Sequence, residues 1–221
     1  MTRPRQFDLI AFDWDGTLYD STALIARAIQ DASADLGTRV PTDLEARYVI
    51  GMGLMEALKH AVPDLPPERY PELRERYRVH YFARQHEIVL FEGTLAMLRS
   101  LKARHHWLTV ATGKSRRGLD EALQTTAELQ GLFDGSRTAD ETVSKPHPQM
   151  LMELMREFGA APERTLMIGD TTHDLQMAVN AGVASVGVSY GAHEPAAFAS
   201  FPTRHVAHSV PDLHAWLDAH A

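Results

Sequence analysis

The run Leu9-Ile10-Ala11-Phe12 is followed at once by Asp13 and Asp15 at alternate positions, then by Gly16-Thr17. A short apolar run that stops at carboxylates reads as a buried strand reaching a polar rim. Asp15-Gly16 alone would suit a hairpin turn, but a hairpin needs a second alternating strand. Instead Leu24, Ile25, Ala28, Ile29, Ala32 and Leu36 recur at helical spacing. The segment is strand, loop, helix, and the hairpin reading fails.

The same alternation returns after residue 92. Strands are expected at 7–12, 108–112, 165–168 and 184–188, with weaker ones at 137–139 and 204–207. Helical patterns fall at 94–103, 115–129, 148–158 and 175–181. Gly159 and Gly182 stand where helix C-terminal glycines belong. Buried strands alternating with helices imply an α/β fold, a Rossmann-like three-layer core around a parallel sheet. Ligands of such sheets bind outside the carboxyl ends of the strands.

Residues 20–86 interrupt this pattern. They hold helical stretches punctuated by Gly37, Pro41, Gly51, Gly53, Pro63 and Pro66-Pro67, with no convincing strand. The expectation is an inserted all-helical domain at 20–86, with 1–19 and 87–221 forming the α/β core. In its last helix, at about 67–84, Leu73, Tyr77 and Tyr81 share a face and are expected to be core.

Composition removes several function classes. The 221 residues contain 22 basic and 29 acidic side chains, a net charge of −7, so nucleic acid and anionic membranes are poor partners. The chain has no cysteine, which excludes disulfides, thiol catalysis and cysteine-ligated zinc. Asp8 and Asp13 interrupt the first apolar run, and no stretch reaches the ~18 apolar residues of a membrane span. A cytoplasmic location is expected.

Polar residues gather at the strand ends. The first strand stops at Asp13-Trp14-Asp15-Gly16-Thr17, the second at Thr112-Gly113-Lys114-Ser115, and a later one at Gly169-Asp170-Thr171, with Asp174 beyond. Lys145 stands between Ser144 and Pro146 before a helix. Clustered carboxylates repel unless a cation joins them, and hard oxygen ligands suit Mg²⁺. Thr112, Lys145 and free N–H groups at helix starts suit a phosphoryl group. A carboxylate beside Mg²⁺ can act as a nucleophile, and a second one two residues on can serve as acid and base.

At these positions the chain resembles the haloacid dehalogenase superfamily of aspartate-nucleophile phosphatases. "DWDGT", "VATGKS", "KPHP" and "GDTTHD" are similar to its four motifs, in order and across nearly the whole chain. The resemblance implies Asp13 as nucleophile and metal ligand, and Asp15 as acid/base with its carbonyl a further ligand. It implies Asp170 on Mg²⁺, Asp174 in support, and Thr112, Gly113, Lys145 and the Trp14 N–H on phosphate. Residues 20–86 occupy the place of the family's helical cap, and the short interval from Thr112 to Lys145 leaves no room for the other cap position. "YVIGMGLMEAL" resembles the cap loop of phosphoglycolate-phosphatase-like members. The expected partner is a small phosphate ester. A phosphomutase, or a weakly catalytic phosphate-binding regulator, is the alternative.

Other features carry less. Gly113-Lys114-Ser115 is similar to the end of a nucleotide-binding phosphate loop, but Leu108 stands where that loop needs glycine. Lys114 is expected exposed at the rim, with a contact to substrate left open, His173 at the rim, Arg47 as a solvated helix charge with a substrate-anion contact as its alternative, and the Trp14 ring packed. His105-His106 cannot share a metal, because adjacent side chains diverge.

Overall fold

The computed structural model describes residues 6–221. Strand β1 (Leu9–Phe12) is central, because both its faces are covered. Leu9 and Ala11 point into one apolar cluster, Ile10 and Phe12 into the other, the period-2 alternation of a strand buried on both sides. Around it a six-stranded parallel sheet is built from β4 (Trp107–Thr112), β5 (Gly135–Thr138), β6 (Thr165–Gly169), β7 (Ala184–Val188) and β8 (His205–Ala207). The spatial order is β5-β4-β1-β6-β7-β8. Phe12 is in register with Val110 on one side and Ile168 on the other, so β1, β4 and β6 end together.

Helices cover both faces. α5 (Thr94–Ala103) and α9 (Val210–His220) pack on Ile10, Phe12, Leu108 and Ile168. α7 (Gln149–Phe158) and α8 (Thr172–Ala181) pack on Leu9, Ala11 and Met167. On α7, Met150, Leu151, Leu154 and Met155 form the buried stripe, each such side chain contributing about 1.5–3 kcal/mol. Gly159 and Gly182 close α7 and α8 at φ of 63° and 70°, the left-handed turn that lets a helix end without a Cβ clash.

Between β1 and β4 the chain makes a separate helical block: α1 (Thr22–Asp35), α2 (Asp43–Tyr48), α3 (Leu54–Ala61) and α4 (Tyr70–Arg84). It has its own apolar cluster, including Ile29, Leu58, Leu65 and Leu73. Its two connections to the sheet pair as a small antiparallel ribbon, β2 (Tyr19–Asp20) with β3 (Val89–Leu90). The sequence pattern does not anticipate this ribbon, because two residues are too few to show alternation.

Three helices differ from their sequence patterns for local reasons. α6 (Arg116–Thr125) stops before 129, and Thr126 turns away to bond Tyr19 Oη through its hydroxyl at 2.6 Å. α8 begins at Thr172 instead of 175, because Thr171 and Asp174 form a capping box. The pattern at 67–84 splits into a 3₁₀ turn at Pro67–Arg69 and then α4.

Candidate active site

The joint end of β1, β4 and β6 collects the polar residues. Asp13 follows β1, Thr112 ends β4 and Asp170 follows β6, and each is essentially inaccessible. Lys145 enters from the loop before α7. Its Nζ lies 2.5 Å from Asp13 Oδ1 and 2.7 Å from Asp174 Oδ1. Asp174 spends its other oxygen on α8's own start, accepting from Thr171 N–H at 3.1 Å and Thr171 Oγ1 at 2.7 Å. Asp174 therefore ties the helix start to the lysine that grips Asp13.

Asp170 is held in a tight cradle. Oδ1 accepts from Thr17 Oγ1 at 3.0 Å and Oδ2 from Ala192 N–H at 2.7 Å. A Cβ on Gly16 or Gly191 would lie 2.1 or 2.2 Å from Asp170 Oδ2, so neither position admits a side chain while the carboxylate stays there. Gly16 also has φ of 87°.

The electrostatics are those of crowded, dry carboxylates. Burial raises Asp13 to about 7, opposed by Lys145 and reinforced by Asp174 and Asp15. Burial, then Asp13 and Asp174, raise Asp170 well above the usual carboxylate range. Burial alone would push Lys145 down, but Asp13 and Asp174 outweigh it and hold the lysine above its ordinary value.

Asp13, Asp170 and Asp174 each bring a carboxylate oxygen within 4.8 Å of the others, and Asp13 Oδ2 is buried with no hydrogen-bond partner. A buried carboxylate oxygen without a donor is costly, and a hard cation would satisfy it. The donor set fits Mg²⁺.

Asp15 faces the other way. Its Oδ1 accepts from Ser21 Oγ at 2.7 Å, and its Oδ2 lies 3.0 Å from Lys114 Nζ. Lys114 is not at an exposed rim, as its side chain is only 13% accessible. Nζ also donates to Tyr81 Oη at 3.1 Å and sits 5.3 Å from the centre of that ring. Burial would lower Lys114, but Asp15, with Tyr81 and Tyr77, holds it above its ordinary value. Tyr81 is thus more than a core residue of the helical block.

That block presses directly on the strand ends. Gly113 lies so close beneath the 51–53 loop that a Cβ there would be 2.5 Å from the Met52 carbonyl oxygen. Gly53 N–H donates to Ser144 Oγ at 2.9 Å, beside Lys145. His173 and His193 approach one acceptor, the Tyr48 carbonyl, at 2.8 and 2.9 Å through Nε2. His193 Nδ1 accepts from Thr172 N–H at 3.0 Å, which fixes its tautomer. Burial lowers both histidines, so His173 is a buried contact and not a rim residue.

The remaining residues fall into place. The Trp14 ring is buried and stacks on Tyr19 at 4.8 Å. Thr112 Oγ1 accepts from Lys114 N–H at 3.2 Å. Arg47 is engaged by Asp43 at 2.7 Å and Thr22 at 3.2 Å. His106 is buried against the Phe7 carbonyl. Ser21, Tyr81, Ala192 and His193 were not identifiable as site residues from local pattern, and Thr17 was visible only as the last residue of the Asp13–Thr17 strand end.

Comparison with known proteins matches this architecture. Residues 10–188 fit the model of the family described as "Haloacid dehalogenase-like hydrolase". "Probable phosphatase IndB" of Dickeya dadantii is 36% identical over 84% of this chain and 82% of its own. A phosphoglycolate phosphatase of Mannheimia succiniciproducens is 30% identical over 84% and 87%. A hydrolase from Pseudomonas syringae has the same fold, with a TM-score of 0.85 at 24% identity over 96% and 98% of the two chains. The chain belongs to the haloacid dehalogenase-like hydrolase family. Among the described residues, no helix is long and apolar enough to cross a membrane.

Proposed function

We propose that this protein is a Mg²⁺-dependent phosphatase that hydrolyses a small phosphorylated metabolite through an aspartyl-phosphate on Asp13, with a phosphoglycolate-like ester favoured. The observation that carries the reading is the buried Asp13 carboxylate, gripped by Lys145 on one oxygen and unpaired on the other. Residues 20–86 serve as a cap over a core made of 1–19 and 87–221, supported by their separate apolar cluster and the β2–β3 ribbon. We assign the enzyme to the cytoplasm, in keeping with a sequence that contains no cysteine.

In the first step an Asp13 oxygen attacks phosphorus, and the bond from phosphorus to the ester oxygen breaks. Lys145 orients the carboxylate and offsets phosphoryl charge, while Thr112 and the N–H groups of Trp14 and Gly113 hold the phosphoryl oxygens. Asp15 gives the departing oxygen its proton. In the second step Asp15 takes a proton from water, the water oxygen bonds to phosphorus, and the bond to Asp13 breaks to release inorganic phosphate. Asp13, Asp170 and the Asp15 carbonyl would hold Mg²⁺. When bound, the ion supplies positive charge that lets carboxylates and a phosphate dianion share one site.

Phosphate release from a panel of esters, with Mg²⁺ and with EDTA, tests the reading. Turnover should vanish with EDTA and return with added Mg²⁺, and full activity in metal-free buffer would sink it. Mass spectrometry of rapidly quenched enzyme should find one phosphoryl group on Asp13.

A further inference from the structure

Lys114 is a largely buried cation that the hydrolytic steps above do not use. It sits two residues beyond Thr112, at the end of β4, and its ammonium points across the seam toward α4. Its polar partners are Asp15 Oδ2 at 3.0 Å and Tyr81 Oη at 3.1 Å, and an ammonium has three N–H groups to place. The other buried lysine, Lys145, is spent on Asp13 and Asp174. Arg47 of α2 is engaged by Asp43 and Thr22. Lys114 is therefore the cation standing beside the carboxylate that serves the departing oxygen.

On the side of α4 the surroundings of Lys114 are aromatic. Tyr81 contributes a ring face and a hydroxyl, and Tyr77 stacks on it at 5.7 Å between ring centres. Both tyrosines come from α4, so this wall exists only when the helical block lies against the strand ends. When Asp15 carries the proton it gives to the departing oxygen, Lys114 keeps only the neutral phenol of Tyr81 as a partner, and its charge is left unmatched. One positive charge matches a carboxylate, whereas a second phosphate dianion would leave excess negative charge in the seam. Because Asp15 Oδ2 and Lys114 Nζ are 3.0 Å apart, a departing oxygen at Asp15 and a carboxylate at Lys114 have to belong to a short leaving group.

We propose that Lys114, completed by Tyr81 of α4, is a specificity site that binds a carboxylate on the leaving group of the substrate. The proposal rests on the reading of Asp15 as the group facing the departing oxygen. It assigns substrate choice to a lysine of the core and a tyrosine of the helical block acting together.

The test compares phosphoglycolate with 2-hydroxyethyl phosphate, esters of equal length that differ in the carboxylate. Wild type should prefer phosphoglycolate in kcat/KM. Lys114→Met should lower the ratio between the two esters by about tenfold or more, chiefly through KM. Lys114→Arg should keep most of the preference, and Tyr81→Phe should lower the ratio a few-fold. Equal losses on both esters in Lys114→Met would show that the lysine only orders Asp15, and would overturn the proposal. Wild type preferring 2-hydroxyethyl phosphate overturns it without any variant. Absence of turnover on every ester, p-nitrophenyl phosphate included, defeats the phosphatase reading itself and is distinct from a wrong preference between working substrates.

Discussion

Two clusters of charge lie near one another and are built differently. The Asp13–Lys145–Asp174 cluster is made of core residues alone, has no solvent access, and locks each group against the sheet ends. The Asp15–Lys114–Tyr81 cluster is about one-tenth exposed at its charged side chains, and its third member comes from the helical block. The first is rigid because removing one partner of a buried pair leaves an uncompensated charge, typically costing 3–5 kcal/mol. The second joins two parts of the fold, since Asp15 and Lys114 stand at the sheet ends and Tyr81 on α4. On the proposed function, the contrast separates making the phosphoryl bond from choosing which ester arrives. It also places Asp15 at the junction of the two.

The largest effect should come from the rigid cluster. Asp13→Asn should lose essentially all turnover, on the order of 10⁴-fold or more, because a neutral amide cannot form the acyl phosphate. Intact mass after rapid quench should show no phosphoryl adduct, and an adduct on another residue would move the nucleophile elsewhere. Asp15→Asn should cost about 10²–10⁴-fold in steady state yet still accept the phosphoryl group from an activated ester. With p-nitrophenyl phosphate it should give a burst of nitrophenolate and then slow, with the adduct trapped. No burst would place Asp15 in the first cluster's task.

The seam can be broken sterically. Gly113→Ala puts a Cβ 2.5 Å from the Met52 carbonyl oxygen, so the helical block cannot seat. Turnover of a small metabolite ester should fall by about 10²-fold, with a smaller loss on p-nitrophenyl phosphate. Equal loss on both would mean that Gly113 matters for phosphate alone.

The smallest effect is a pH dependence of metal binding. Burial raises Asp13 from 3.8 to about 7, so the metal-free fold loses stability as pH rises toward that value. Below it, Mg²⁺ must displace the proton, and apparent affinity should fall about tenfold per pH unit. Above it, the affinity should level off. Calorimetric titration with MgCl₂ between about pH 5.5 and about pH 8.5 reads this directly, and a flat profile would remove Asp13 from the ligand set.

The two clusters also differ in how far they can be read from the chain. Asp13, Thr112 and Asp170 each follow a short apolar run, and parallel strands in register bring such ends to one rim. Their proximity follows from local pattern plus the rules of parallel sheets. Lys114 also follows such a run, yet its direction is not written there. A side chain just past a strand end can turn outward or across, and the packing of α4 decides which. Tyr77 and Tyr81 read as core because helical spacing cannot tell an interior face from a face turned toward another part of the fold. The histidines show the same limit, since the Tyr48 carbonyl that His173 and His193 share lies far from both in the sequence.

By itself the sequence determined the period-2 runs that are buried on both faces, the helices between them, and the carboxylates, threonine and lysine at their ends. Each of these depends on residues a few positions apart, where periodicity and capping chemistry act. Tertiary structure alone decided that Ala192 N–H supports Asp170, that Ser21 and Lys114 divide Asp15, and that Tyr81 closes over the seam. Those contacts join segments whose meeting is set by sheet register and by how one helical block rests on another surface. Loop paths and rigid-body placement carry no local periodic signal. For that reason the gathering of polar residues at the strand ends was legible from the chain and the contacts across the seam were not.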